Sequence, residues 1–415
     1  MSSVLATTSL PEICELVTDG THDSPKLQPS GVPFIKGKHI SSGRIDFENC
    51  DYITEEDHLE CVRRVKPKRD DVLFSNIGSV GDAARVTDEV EFSIKNIALF
   101  RPDPQKVDAL YFYYLVVSPY FRAHFLNVRS GSAQPFISLE NFRSLKFKYL
   151  SDREAQHSVG QILSAYDNLI ENNQRRVKLL EQAARLLYKE WFVHIRFPGH
   201  EHVTITDGVP DGWERRSLEN CVSTLETGNR PKGGVSGIED GIPSIGAESI
   251  IGAGLFDFSK TKYVPDIYFN NLKKGVVQDR DVLVYKDGGR PGYFTPHVSF
   301  FGCGFPFGQM ALNTHVYRIR GSSGISQEFL YYHLSSDLIL SWMNNAGTGA
   351  AIPGIARKDL LRLPVIIPSS RIMEMFTEVT ADFLTQILRL ALTTKTLTQA
   401  RDLLLPRLMN GEMVV

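Results

Sequence analysis

Residues 159–191 read VGQILSAYDNLIENNQRRVKLLEQAARLLYKEW. Val159, Leu163, Tyr166, Ile170, Asn173, Val177, Leu180, Ala184, Leu187 and Trp191 recur there at alternating spacings of four and three. A stripe of that period, sustained over about four heptads, predicts a helix whose single seam is buried against another helix. The same ladder returns 217 positions later as Phe376, Thr380, Phe383, Ile387, Leu390, Thr394, Leu397, Arg401, Leu404 and Leu408. The chain therefore carries its own candidate partner helix. Asn173, whose counterpart is Leu390, reads either as a tolerated polar residue or as an asparagine that fixes register.

Working outward, shorter strings repeat as well. Gly31-Val32-Pro33-Phe34-Ile35 returns as Gly241-Ile242-Pro243-Ser244-Ile245, and Asp71-Val72-Leu73-Phe74 as Asp281-Val282-Leu283-Val284, both at an offset of 210. The offset then grows to 219 for Leu110 to Leu115 against Phe329 to Leu334, and is 218 for Ser151-Asp152-Arg153 against Ser369-Ser370-Arg371. Insertions in surface loops of a duplicated fold produce such a drift. Within each half, short β-rich runs (Val72 to Ser75, Val282 to Tyr285, Val298 to Phe301, His315 to Ile319) are bounded by glycines, and a helical stretch follows at Asp108 to Val117 or Gln327 to Leu334. The expected fold class is α+β: two similar heads joined by two long antiparallel coiled-coil helices, with a pseudo-twofold axis. The expected domains are 1–152 and 199–368 for the heads, 153–198 for a central helical region and 369–415 for a C-terminal one. Pro/Gly-containing runs at Arg196 to His200 and Val203 to Gly212 close the first arm, and Pro406 with Asn410-Gly411 closes the last helix. An arm of about 40 residues at ~1.5 Å each is roughly 60 Å long, close to two turns of duplex DNA.

The bulk composition narrows the function. With 415 residues, 42% hydrophobic and 23% charged, the chain reads as an ordinary soluble protein of several domains. Its five cysteines (Cys14, Cys50, Cys61, Cys221, Cys303) are odd in number, and no Cys-x-x-Cys pair offers a zinc site, so they read as reduced thiols. No signal peptide or membrane span is visible, which predicts a cytoplasmic protein. A net charge of -2 predicts weak DNA binding by the isolated chain, because phosphate affinity comes largely from Lys and Arg. Segregation of basic residues onto one face still allows it.

Several local strings resemble the DNA-specificity subunits of type I restriction-modification enzymes. They are Asp19-Gly20-Thr21-His22-Asp23-Ser24-Pro25 followed by Gly31 to Ile35, Lys189-Glu190-Trp191-Phe192-Val193, Pro210-Asp211-Gly212-Trp213-Glu214, Ile352-Pro353-Gly354-Ile355-Ala356-Arg357-Lys358-Asp359-Leu360, and Leu404 to Glu412. The resemblance implies a subunit without catalytic chemistry of its own. Each head would be a target-recognition domain reading half of a bipartite, asymmetric DNA sequence, and the helices would set the gap and hold two methyltransferase subunits. Those partners would carry S-adenosylmethionine; restriction and translocase subunits, with ATP and Mg, would join them. Where the second head has Gly349-Ala350-Ala351-Ile352-Pro353-Gly354-Ile355, the first has Ser132-Ala133-Gln134-Pro135-Phe136-Ile137, which suggests different half-sites.

Catalytic motifs are missing from the sequence. There is no Asn/Asp-Pro-Pro-aromatic loop for a flipped base, and no lysine follows an acidic residue at the spacing of a common metal-dependent nuclease. Gly37-Lys38 lacks the remainder of a P-loop. His200-Glu201-His202 has no third ligand and reads as a solvated loop. Gly288-Gly289-Arg290-Pro291-Gly292 reads either as a phosphate cradle or as a hairpin turn. The remaining rivals are an enzyme in its own right, against which these gaps argue, and a coiled-coil adaptor with heads that do not bind DNA.

Base reading needs Arg, Lys, Asn or Gln held at the groove. In the first head the candidates are His22, Lys26, Lys36, Lys38, His39, Asn76, Lys95, Asn96, Arg129 and Gln134. In the second they are Asn229, Arg230, Lys232, Lys286, Arg290, Tyr293, Asn344, Asn345 and Arg357. The dense basic run Arg63, Arg64, Lys66, Lys68 and Arg69 reads either as a phosphate contact or as a surface hairpin with internal ion pairs. Outside the seam, Ile162, Leu169, Leu179, Leu186 and Phe192, with Leu384, Leu388, Leu392 and Leu403, widen the apolar stripe. That surplus is the expected docking face for the methyltransferase subunits, packing against the heads being the alternative.

Overall fold

The computed structural model describes residues 5–41, 43–77, 80–87, 89–126, 136–288, 292–347 and 353–413. The chain divides into two compact units, residues 1–169 with 397–415 and residues 170–396.

In the first unit, Val72-Leu73-Phe74 is buried on both faces, as an inner strand requires. It belongs to a four-stranded antiparallel sheet in the order Cys14–Asp19, Ala98–Pro102, Val72–Phe74, Ala83–Arg85. Against it lies a three-stranded sheet in which Val32–Lys36 pairs antiparallel with Asp51–Ile53 and parallel with Ser93–Lys95. A terminal ribbon pairs Leu5–Ser9 with Lys146–Leu150. The helix Ala109–Val117 is capped by Asp108, whose carboxylate accepts from the Leu110 and Tyr111 amides. Phe142 packs edge-to-face on Phe74 and Phe100 at centroid separations of 5.5 and 5.0 Å.

The second unit repeats this wiring strand for strand. Its four-stranded sheet runs Val222–Thr227, Val316–Gly321, Asp281–Tyr285, Val298–Phe301. Ile242–Ile245 pairs antiparallel with Lys262–Val264 and parallel with Ala311–Leu312, and the ribbon is Glu214–Ser217 with Pro364–Ile367. The helix Gln327–Leu334 follows, capped by Ser326. The duplication visible as short strings is thus a duplication of topology, including the parallel pairing inside an otherwise antiparallel arrangement.

The two helices expected from the heptads exist as Arg153–Tyr188 and Ser370–Met409, of 36 and 40 residues. In the first unit, Val159 and Leu163 share one core with Leu405, Leu408 and Met409. There Asp167 accepts from the Tyr114 hydroxyl at 2.6 Å and pairs with Arg401 at 2.6 Å. In the second unit Val177, Ala184, Tyr188 and Phe192 share a core with Phe376, Leu384, Ile387 and Leu388. The seam positions are buried or half-buried throughout, including Asn173 and Thr380, whose hydroxyl donates to the Phe376 carbonyl at 2.7 Å. The four leucines Leu169, Leu179, Leu186 and Leu403 are exposed.

One expected boundary is corrected. Pro406 does not end the last helix, which runs on to Met409. Proline removes one helical hydrogen bond, but Leu405 and Leu408 on either side are buried in the first unit's core and hold the turn in place. The helix closes at Gly411, in the left-handed region at φ 67° with its amide on the Leu408 carbonyl.

His333 makes the second unit acid-sensitive. It is buried, stacked on Phe329 at 6.0 Å, with Nδ1 on the Tyr188 hydroxyl at 2.9 Å and no partner for Nε2. Burial takes its pKa down to about 4. An unfolded histidine titrates near 6.5, so the neutral ring's contribution is present above pH ~6.5 and is lost as pH falls toward 4, up to about 3 kcal/mol in all. All three tryptophans, Trp191, Trp213 and Trp342, lie in this unit. Urea unfolding followed by tryptophan fluorescence at pH 7 and pH 5 should therefore show a loss that His333→Phe reduces; equal losses in both proteins would contradict the role of this ring.

Candidate nucleic-acid interface

The loop after the first sheet strand passes close to a second chain segment in both heads. A Cβ on Gly20 would lie 2.1 Å from the Ile94 carbonyl oxygen, and one on Gly228 1.7 Å from that of Leu312, so only glycine permits the approach. The Gly20 amide donates to Ile97 and the Gly228 amide to Asn313, both at 3.0 Å. Two residues further on, these anchors place His22 in the first head and Arg230 in the second.

In the first head His22 Nδ1 meets Asn96 Oδ1 at 2.8 Å, and its Nε2 lies 3.2 Å from Asp19, a carboxylate also held by Arg64. Asn96 presents its amide from a left-handed backbone at φ 52°. Lys95 reaches Ser24, and Lys26 is exposed. Lys36 and Lys38 converge on Asp51 at 2.8 and 3.2 Å. Burial alone would raise the Asp51 carboxyl, but the two ammonium groups outweigh it and hold it below the usual carboxylate range. His39 and Asn76 sit differently. His39 is buried, accepts the Lys36 amide at 3.1 Å, and is pushed below its ordinary pKa by that burial. Asn76 is buried and its side-chain amide donates to the Ile137 carbonyl at 3.1 Å, while its backbone carbonyl accepts the Ile137 amide at 3.0 Å. Both therefore brace the loop backbone.

In the second head Arg230 Nη2 lies 2.6 Å from His315 Nε2, and His315 Nδ1 bonds Asp287. A guanidinium only donates, so Nε2 accepts and Nδ1 carries the proton donated to Asp287. Lys286 pairs with the same carboxylate at 2.7 Å and donates to the Thr314 carbonyl at 3.3 Å. Asn229, Lys232, Asn344 and Asn345 lie on the surface, and Tyr293 is 77% exposed. Arg357, the first residue of a short helix, donates to the Leu225 carbonyl. Arg129, Gln134 and Arg290 lie outside the described residues, as does part of the glycine-rich 288–292 run.

Beside Arg230 and His315 a cavity of about 480 Å³ opens, lined by Glu248, Asp257, Lys260, Tyr285, Asp287 and His315 among others. Tyr285 and His297 stack at its wall with rings 4° from parallel. Burial opposes ionisation of Glu248, but Lys262 at 2.6 Å and the backbone hold its carboxyl below the usual range. The sequence reading missed Asp19, Glu248, Asp287 and His315 as site residues, and it named Arg64 only within the basic run. Of the four, Asp19 alone carried a signal, as a member of the Asp19-Gly20-Thr21-His22 string. The basic run splits: Arg64 serves Asp19, Lys66 pairs with Glu91, and neither partner lies within the run. Among the described residues no group of three or more His, Cys, Asp or Glu side chains is placed to hold a metal ion. No helix among them is long and apolar enough to cross a membrane.

Residues 5–182 match the sequence profile of the type I restriction modification DNA specificity domain. The specificity subunit of the type I restriction enzyme MjaIX of Methanocaldococcus jannaschii is 22% identical over 399 residues, covering 95% of this chain and 87% of that protein. That of the HindI enzyme of Haemophilus influenzae is 24% identical over 357 residues, 69% and 72% of the two chains. The fold is shared with the crystal structure of a type I restriction-modification S subunit from M. genitalium, with a TM-score of 0.61 and 15% identity over 98% of this chain and 96% of that one. The resemblance read in the sequence is borne out.

Proposed function

We propose that this chain is the DNA-reading, non-catalytic subunit of a type I restriction-modification enzyme, each head recognising one half of a bipartite, asymmetric target. One observation carries the reading: two heads of identical strand order present different polar side chains, His22 and Arg230, at the same glycine-anchored loop position. Equal scaffolds with unequal contacts are what two different half-sites require. The two long helices act as antiparallel spacers. The Asp167–Arg401 pair in the first unit and the Trp191–Phe376 ring contact at 6.0 Å in the second support that direction. The exposed Leu169, Leu179, Leu186 and Leu403 are offered to two methyltransferase subunits, which bring S-adenosylmethionine. Restriction and translocase subunits supply ATP and Mg chemistry, and the assembly works in the cytoplasm.

Mapping methylated bases in DNA from cells expressing the chain with its partners tests the reading. A split, asymmetric motif is expected; the absence of any motif dependent on this chain would overturn it. Arg230→Ala in that complex is expected to weaken discrimination in one half-site by tenfold or more, about 1–3 kcal/mol, and to leave the other half-site unchanged. Equal loss in both halves, or none, would remove Arg230 from the contact set.

A further inference from the structure

The strand registers allow the heads to be compared position by position. Phe34 lies opposite Asp51 and beside Ser93, and Ser244 lies opposite Lys262 and beside Ala311. Phe34 and Ser244 are therefore equivalent, as are Asp51 and Lys262. Four residues beyond Phe34 and Ser244 stand Lys38 and Glu248. Both heads close this corner with a cross-strand ion pair, Lys38 to Asp51 at 3.2 Å and Glu248 to Lys262 at 2.6 Å, and the signs are exchanged. Lys36 adds a second ammonium in the first head, where the second has Gly246.

The exchange should change stability little, since both polarities give only partly exposed pairs. It changes what the corner offers a ligand. Ammonium groups only donate, and Lys36 and Lys38 have donors left beyond Asp51. A carboxylate only accepts. Lys262 engages one oxygen of Glu248, whose side chain also lines the cavity that contains Asp287.

We infer that this corner sets opposite base preferences in the two heads: Glu248 accepts a hydrogen bond from the exocyclic amino group of a base edge, whereas Lys36 and Lys38 donate to an acceptor-rich edge such as that of guanine. On the major-groove edge, where this contact is placed, the amino group belongs to cytosine N4 or adenine N6. This inference rests on the DNA-reading function proposed above.

The test presents the assembled complex, this chain with its methyltransferase partners, with duplexes randomised over both half-sites, and sequences those retained. In the wild type, one position of the second head's half-site should require an amino-bearing base, and the recovered base shows whether it is cytosine or adenine. E248Q, which retains a carbonyl acceptor but adds a donor, should relax that position by about tenfold. The double exchange E248K with K262D keeps the ion pair and should turn the preference to guanine, with the other half-site unchanged. An unaltered motif in the double variant, or a change confined to the other half-site, overturns the inference. If the double variant does not assemble, unchanged discrimination in E248Q does so. A wild-type complex that selects no sequence fails the proposed function itself, whereas wild-type selection with indifferent variants fails this inference alone.

Discussion

Asp281→Ala is expected to destabilise the second unit by about 3–5 kcal/mol, the cost of breaking a buried ion pair from one side. Asp281 is fully buried at the start of an inner strand. Its two oxygens accept from Arg320 at 2.6 Å, from Arg318, and from the Gln278 amide at 2.6 Å. Removing the carboxylate strips the buried Arg318 of its nearest counter-charge and leaves a backbone donor unsatisfied, which adds desolvation costs that no repacking recovers. Arg318 keeps Glu226 and Gln278, each at 2.8 Å, so the loss should fall toward the lower end of the range. Asp281→Asn, which retains acceptors but not the charge, should cost less. Urea unfolding by tryptophan fluorescence reads this unit selectively, and a loss below about 1 kcal/mol would show that the network contributes little.

Asp281 also shows what was legible in the sequence. The Asp71-Val72-Leu73-Phe74 string and its repeat at Asp281 mark a duplicated strand, and the structure gives both aspartates the same duty: Asp71 is held by Arg101 at 2.7 Å, as Asp281 is by Arg320. The strand was readable because three consecutive buried apolar residues have few other homes. The arginine was not, because it comes from a strand 30 or more positions away whose register no local pattern encodes. The heptad seams were equally plain, as their period is a local property. Pro406 misled because proline is read as a helix stop, while the tertiary burial of Leu405 and Leu408 overrides that preference. Among the site residues, Lys36 and Lys38 were marked as candidate cations of the first head, but their partner Asp51 and the inverted pair Glu248–Lys262 emerge only once strands are aligned across the repeat. His39 and Asn76 look in sequence like loop donors. Both are buried against backbone partners, the Lys36 amide and the Ile137 carbonyl, which residue type does not reveal.

Phe376→Ala should cost the second unit another 3–5 kcal/mol, roughly the penalty for emptying a fully buried aromatic site. Phe376 sits in the first turns of the C-terminal helix and is inaccessible to solvent. Its ring packs edge-on against Phe192 at 4.9 Å, and Tyr188, Trp191 and Tyr332 lie within 6.1 Å. These neighbours come from three pieces of chain: the end of the central helix, the turn that follows it, and the helix Gln327–Leu334. The ring is thus where both long helices and the second head share one contact, and its loss creates a void that no single element can close by shifting. Phe376→Leu keeps most of the apolar volume and should lose distinctly less than Ala. If the helices act as spacers, the Ala variant should also fail to form the complex with methyltransferase partners at temperatures where Phe376→Leu still assembles. A Phe376→Ala protein with wild-type unfolding and normal assembly would mean that head and helices do not depend on this contact, and the spacer role assigned to the long helices would lose its main structural support.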